Sequence, residues 1–257
     1  MKEMKWFQVL ILSYPKNSWT EMKSKSKKTG MSDPVFLLIE TATEVCSVGI
    51  SRGKKITVKR ETFQGNSHAE NIGRFVVELQ QELKIEPEAY DAVVISGGPG
   101  SYTGLRIGTS FAKGMCFGKD LPLIAINTLE GLSRNPQVRN LKGLRIPMLD
   151  ARRMEVYASC YDENDSCILE PAPLVLDNES FGDFDGKELH FFGNGMPKFR
   201  EISKVRNAKF YDEVNPNVDG LAELAYTKFI AGEFADVAYF EPEYLKAFIA
   251  GPPKKML

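Results

Sequence analysis

Hydrophobic positions along the chain follow two alternating periods from Pro34 onward. The run PVFLLIE (34–40) is apolar until its final carboxylate, which predicts a strand covered on both faces. VCSVGISRGKKITVKRETF (45–63) carries β-branched and apolar residues on two arms and predicts a hairpin turning at Arg52 and Gly53. Then the period changes. Ile72, Phe75, Val76, Leu79 and Leu83 fall on one stripe of a helix over 67–83, with Ser67 as N-cap and Glu70 completing a capping box. YDAVVIS (90–96) predicts a short strand, the glycine-rich segment from Gly97 leads into a helix ending about Gly118, and LPLIAIN (121–127) predicts a further strand. Strand, hairpin, helix, strand, helix, strand describes an α/β layer on a partly parallel sheet.

After Thr128 the pattern begins again. GLRIPMLDARRMEVYASCYDEN mirrors PVFLLIETATEVCSVGISRG: an apolar strand ends in a carboxylate (Asp150, Glu40), a short turn follows, and Glu-Val (Glu155-Val156, Glu44-Val45) opens a return strand. The rest of this half predicts strands at ELHFFG and KFYDEV, a turn at Gly193-Asn194-Gly195, and a helix around VDGLAELAYTKFIAGEF. In that helix Val218, Leu221, Leu224, Ala225 and Phe229 form the apolar stripe, and Gly232 is placed to end it. The duplication predicts two similar α/β lobes, residues 31–129 and 130–257, each a mixed sheet flanked by helices.

Composition narrows this further. At 257 residues and 43% apolar the chain can bury one large core or two smaller ones. Residues 1–30 hold seven lysines and two acidic side chains, net +5, which leaves the remainder at −6 given the overall −1. A mildly acidic body argues against nucleic acid as a direct ligand unless a basic patch exists or a partner supplies charge. The four cysteines show no CxxC spacing, which fits a reduced, cytosolic compartment. MKEMK followed by WFQVLIL has the outline of a signal peptide, but a polar, lysine-rich stretch follows where small cleavage-site residues belong. The apolar run is also far short of the roughly 20 residues of a membrane span. Met31 opens MSDPVFLLIE as an ordinary start would, so residues 1–30 are expected to be an over-extended start or a disordered tail.

The candidate chemistry centres on GGPGSYTGLRIGTSFAKG (97–114). A Walker loop needs Gly-Lys-Ser/Thr where this chain has Gly104-Leu105-Arg106, and a dinucleotide fingerprint needs a third glycine where it has Thr103. What remains is a strand end, turn-forming glycines and Ser101 or Thr103 to cap the next helix, a start that can hold an anion or simply end a strand. Glu40, Thr41, Gly98, Gly100, Ser101 and Thr103 are the candidate phosphate edge. Glu40 and Asp150 sit where a metal-nucleotide acid would, or bond to turn amides. Gly104, Gly108, Ala112 and Cys116 recur every four residues, so this helix face admits close approach, either by the chain's own helix over 67–83 or by a second protein. Of the two histidines, His68 and His190, neither forms an H-x-x-x-H pair, and His68 is expected exposed on the first helical turn. No G-x-S-x-G and no Cys–His neighbours occur, so no catalytic or metal-binding residue is named.

LLIETATEVCSVGI, HAENIGRFV, GGPGSYTGLRIGTSFAKGMCFGKDLPLIAINTLEGL, MLDARRMEVYAS, GNG and EPEYLKAF, in this order and spacing, resemble the TsaB (YeaZ) family over about residues 35–250. The resemblance implies two lobes of the actin/Hsp70-ATPase-like (ribonuclease H-like) fold. It also implies a non-catalytic scaffold in the complex that transfers a threonylcarbamoyl group to the adenosine next to the anticodon of tRNAs. The catalytic paralogue TsaD, bearing the metal-binding histidines, and the ATPase TsaE are the implied partners, with tRNA reached indirectly through the complex. The implied partner interface lies on the helices over 67–83 and 103–118, at Ile72, Phe75, Val76, Leu79, Gly104, Arg106, Ile107, Gly108 and Ala112. No cofactor of its own is implied, ATP or ADP being held only within the complex; a homodimer substitutes when the partner is missing, and the setting is cytoplasmic, without membrane. Many relatives have Asp at the position of Glu40, so independent nucleotide hydrolysis is disfavoured. The rival readings are an autonomous nucleotide hydrolase or glycoprotease-like enzyme, and a structural homodimer.

Overall fold

The computed structural model describes residues 33–63, 68–184 and 186–246; the segment 1–30 and the cap expected at Ser67 lie outside the described residues. Strands β1 (Val35–Glu40), β2 (Cys46–Arg52), β3 (Lys55–Thr62), β4 (Ala92–Ser96) and β5 (Leu123–Ile126) form the first sheet, in the order β3-β2-β1-β4-β5. β1 pairs antiparallel with β2 and parallel with β4, and β4 pairs parallel with β5. The parallel pairs need crossovers, which helices α1 (His68–Leu83) and α2 (Tyr102–Lys119) provide. Every residue of β1 is buried because its alternate side chains enter different cores. Leu37 and Ile39 join Ile72, Phe75, Val76 and Leu79 of α1, while Phe36 and Leu38 face Val218, Leu221, Ala222 and Ala225 on the opposite side.

The second sheet repeats this order and sense. β6 (Leu144–Asp150), β7 (Glu155–Tyr161), β8 (Cys167–Val175), β9 (Leu189–Phe192) and β10 (Ala208–Tyr211) run β10-β9-β6-β7-β8, with β6 antiparallel to β7 and parallel to β9. Helix α3 (Thr128–Ser133) follows β5, α4 (Met196–Ile202) connects β9 to β10, and α5 (Ala222–Ala231) follows a single 3-10 turn at Val218–Gly220. Two mixed sheets flanked by helices are the α/β architecture that the repeat predicts. The copies differ in their covering: among the described residues, the β8–β9 connection has only a 3-10 turn at Gly182–Phe184 where the first lobe has α1. Phe181, Phe191, Phe199 and Phe210 fill that side instead, with ring centroids 4.9–5.4 Å apart for the pairs Phe181–Phe191, Phe191–Phe199 and Phe191–Phe210.

Several elements depart from the sequence pattern. β8 is not expected because CILEPAPLV holds Pro171 and Pro173; as an edge strand it needs no ladder on its outer side, so proline is tolerated. The β2–β3 turn falls on Gly53-Lys54, one residue later than expected, because Arg52 still pairs with Lys55 and Gly53 takes the positive φ of 56° that opens the loop. α3 and α4 are too short for a periodic stripe. His68 is buried, not exposed: its Nε2 donates to the Thr43 carbonyl at 2.8 Å and ties the start of α1 to the turn after β1. Arg145, fully buried in β6, donates from its two terminal nitrogens to Asp165 Oδ1 at 2.5 Å and to the carbonyls of Asp162, Ser133 and Arg139 at 2.6–3.1 Å, so its charge is paired, while its Nε finds no partner among the described residues.

The chain crosses between the sheets twice, after β5 and after β10, and the crossings meet where a Cβ on Gly220 would overlap the Gly131 carbonyl. α3 packs Leu129 and Leu132 on Leu149 and Phe192 of the second sheet. α5 returns to the first.

The small-residue stripe of α2 faces inward. A Cβ on Gly104 would overlap the Thr41 carbonyl oxygen and one on Gly108 the Thr41 hydroxyl, whereas a Cβ on Gly114 meets nothing within 4 Å. Gly108→Leu is therefore expected to destabilise the fold by about 1–3 kcal/mol through overpacking, lowering Tm by roughly 2–12 °C, while Gly114→Leu leaves Tm unchanged. Thermal melts by circular dichroism decide it; equal Tm for both variants would place the stripe outside the core.

Candidate functional site: the glycine loop and the helix face beside it

β1 and β4 end side by side, and their last residues build the corner the sequence singles out. The Glu40 carboxylate is buried; its Oε1 accepts the Ala42 amide at 2.6 Å, and its Oε2 accepts the Ser96 hydroxyl. Burial pushes this carboxyl up to about 7, against the opposing pull of Ser96 and the turn amides. A carboxylate so enclosed closes the strand ends; it is not presented to a ligand.

The glycine loop is likewise engaged by its own chain. The Gly97 amide donates to Ile126 O at 2.7 Å, and its carbonyl accepts the Glu243 amide at 2.7 Å. Gly98 has φ +106° and its carbonyl accepts the Thr128 amide at 2.8 Å. A Cβ on Gly100 would overlap the Ala42 carbonyl, which accepts the Ser101 amide at 2.7 Å. Ser101 caps α2 as expected, its hydroxyl accepting Gly104 N–H at 3.2 Å. Glu40, Thr41, Gly98 and Gly100 thus meet at one corner and are covered by backbone, with Ser101 and Thr103 exposed at its rim.

The nine residues assigned to a partner interface separate into two sets. Ile72, Phe75, Val76, Leu79, Gly104, Gly108 and Ala112 are interior, packed in the first lobe's core or against Thr41, and their side chains cannot meet a partner. The physical reason is that the amphipathic stripe of each helix is spent on its own sheet. Arg106 is exposed, stacked 4.1 Å over Tyr102, and Ile107 is half-buried. What the stripe reading missed lies between its positions. Val77 of α1 is 51% exposed and Phe117 of α2 75%, and on α2 the exposed Ser110, Gly114 and Gly118 share the side of Phe117 by helical spacing. A large apolar side chain left in water among positions with little or no side chain gives α2 a face suited to another surface. The signal was in the residues between the stripe, where an amphipathic helix ordinarily carries polar groups.

Other chemistry is accounted for within the chain. His190 is buried, with Nδ1 2.9 Å from the Tyr211 hydroxyl and Nε2 against the Lys142 carbonyl. Burial pushes the thiols of Cys116 and Cys160 up to about 12, far from thiolate reactivity. Asp150, the counterpart of Glu40, is exposed and paired with Lys198. Among the described residues, no helix is long and apolar enough to cross a membrane.

Comparison with known proteins places this architecture. Residues 62–240 match the family model described as TsaD, tRNA N6-adenosine threonylcarbamoyltransferase. The TsaB protein of tRNA threonylcarbamoyladenosine biosynthesis from Haemophilus influenzae is 32% identical over 84% of this chain and 95% of its own length. Its namesake from Bacillus subtilis is 27% identical over 82% and 93%. The YeaZ structure from Pseudomonas aeruginosa superposes with a TM-score of 0.71 at 25% identity, over 82% of this chain and all of that one. The chain belongs to the TsaD family of that model and, within it, to the TsaB proteins.

The enclosed Glu40 has a consequence for pH. An unfolded glutamate ionises near 4.5 and the folded one near 7, so the native state loses relative stability as pH rises from about 4.5 to about 7, and the deficit persists above. Glu40→Gln, which can accept from Ala42 and donate to Ser96, is expected to stabilise the protein by up to about 3 kcal/mol at about pH 8 and to be neutral at about pH 4. Denaturant unfolding at both pH values tests this; a stability difference independent of pH would mean Glu40 titrates normally.

Proposed function

We propose that this protein is a non-catalytic subunit of the assembly that transfers a threonylcarbamoyl group to tRNA, and that it binds a TsaD-family catalytic subunit through the outer face of α1 and α2. The observation that carries the reading is the contrast between the two candidate sites. The glycine-loop corner is closed by Ala42, Glu243 and a buried Glu40, while the helix face beside it leaves Val77 and Phe117 in water. A hydrolase of nucleotides or peptides needs an open acid or nucleophile, and the groups at this corner are committed to the fold. The same names fit the tRNA-modification role carried by the TsaB relatives.

In this reading the protein works in the cytoplasm and has no cofactor of its own. ATP or ADP is held only once TsaD and the ATPase TsaE complete the assembly, and Ser101 and Thr103 at the rim of the loop are the groups nearest to such a shared nucleotide. Without its partner the exposed helix face is satisfied by a second copy of the chain.

Co-elution with the TsaD-family subunit of the same organism, followed by tRNA modification with and without this chain, is the direct test. Gly114→Arg places a long charged side chain on the face without a clash in the fold. It is expected to keep the wild-type Tm, to abolish co-elution and to reduce modification at least tenfold (about 1.4 kcal/mol of lost association or more). Full association by the folded variant would remove this face from the interface.

A further inference from the structure

The turn joining β6 to β7 carries two arginines that the fold does not use. Arg152 and Arg153 are both exposed and both left-handed, with φ of 70° and 49°, a backbone region where glycine or asparagine is the ordinary choice. The turn is fixed by its backbone: Asp150 Oδ1 accepts the Arg152 amide at 2.6 Å, the Glu155 amide donates to Arg152 O at 3.1 Å, and Asn194 Oδ1 accepts the Asp150 amide at 3.0 Å. None of this requires an arginine side chain.

The neighbouring carboxylates are neutralised by other cations. Lys198 pairs with Asp150 and Lys246 with Glu155, so neither is left to offset a guanidinium. Neither Arg152 nor Arg153 has a side-chain hydrogen bond or ion pair to a described residue. The turn therefore presents two uncompensated, fork-shaped donors at its tip. The duplicated turn in the first lobe holds Thr41, Ala42 and Thr43, buried, with no cation. Covered by α2 there and open here, the same place in the fold has become a cationic point on a body whose net charge is −6 beyond residue 30.

Adjacent guanidiniums match phosphate oxygens. A free phosphate or nucleotide calls for a concave site with converging donors, whereas an exposed hairpin tip fits an extended polyanion. Resting on the tRNA-modification reading above, we propose that the Arg152–Arg153 turn contacts the phosphate backbone of the tRNA directly. On a body of net negative charge, a fixed cationic turn of this kind would orient the subunit on its substrate.

The test compares full-length chains by fluorescence anisotropy on a labelled tRNA transcript across about 50–200 mM salt. Arg152→Gly with Arg153→Gly removes both charges and relieves the left-handed backbone, so the fold is retained, as a thermal melt verifies. Lys204→Ala with Arg206→Ala removes two exposed cations elsewhere, and the seven lysines of residues 1–30 are common to all chains. The arginine variant is expected to lose affinity on the order of tenfold near 100 mM salt and to lower the slope of log K against log salt by about 1.5; the control leaves both unchanged. Equal behaviour of the two variants would overturn the proposal. So would displacement of tRNA by ATP or inorganic phosphate beyond the effect of matched ionic strength, which would assign the turn to a free phosphate. The arginine variant should co-elute with the TsaD-family subunit as wild type does; loss of co-elution would make the turn a protein contact and overturn the RNA assignment. If wild type itself fails to co-elute, the scaffold reading fails while the RNA comparison still stands or falls by itself.

Discussion

The first lobe depends on how closely α2 approaches the end of β1. Gly104 and Gly108 let the helix backbone rest against Thr41, and any side chain there would push helix and strand apart. That contact sets the rest of the corner. With α2 seated, Ser101 lies where it caps the helix and donates its amide to Ala42, Glu40 is shut in beside Ser96, and His68 reaches Thr43 from α1. The Ser101 amide, the Glu40 carboxylate and His68 Nε2 each find a partner at this corner, while His68 Nδ1 and the Thr109 hydroxyl are buried without one among the described residues, and an ionisable carboxyl is kept from water. The same approach leaves Phe117 and Gly114, on the opposite side of α2, exposed among the described residues.

Much of this was legible in the residues. The unbroken apolar run PVFLLIE, the switch to a helical period after His68 and the second appearance of strand, carboxylate and turn at GLRIPMLD specify two related lobes, and both sheets have the same strand order. The site was legible only in outline. Periodicity shows that Gly104, Gly108 and Ala112 share a face, but not whether a strand end or a foreign helix fills it; only the position of Thr41 decides. β8 was hidden because proline weakens a strand pattern unless the strand is known to be an edge, and edge position is a property of the whole sheet. Arg152 and Arg153 read as an ordinary charged turn until their backbone angles and the pairing of Asp150 and Glu155 are known.

Duplication gave the lobes one topology and different uses. In the first, long helices cover the sheet and bury the turn after β1. In the second, an aromatic cluster takes the place of the equivalent of α1, the strand-end carboxylate stays in water, and the turn is open. Joined at the Gly131–Gly220 crossing, one lobe offers an apolar helix face and the other a basic point.

The return of α5 to the first sheet bears on how the chain acquires its structure during synthesis. Phe36, Leu38, Ala92, Val94 and Ile124 are all made within the first half of the chain, yet their cover, Val218, Leu221, Ala222 and Ala225, emerges near the end. Until then one side of the first sheet is an unprotected apolar surface, while the second lobe is built in between. The first lobe is thus begun first and finished last, so a ribosome-bound chain lacking its final forty residues exposes a sticky half-core that a chaperone would be expected to shield.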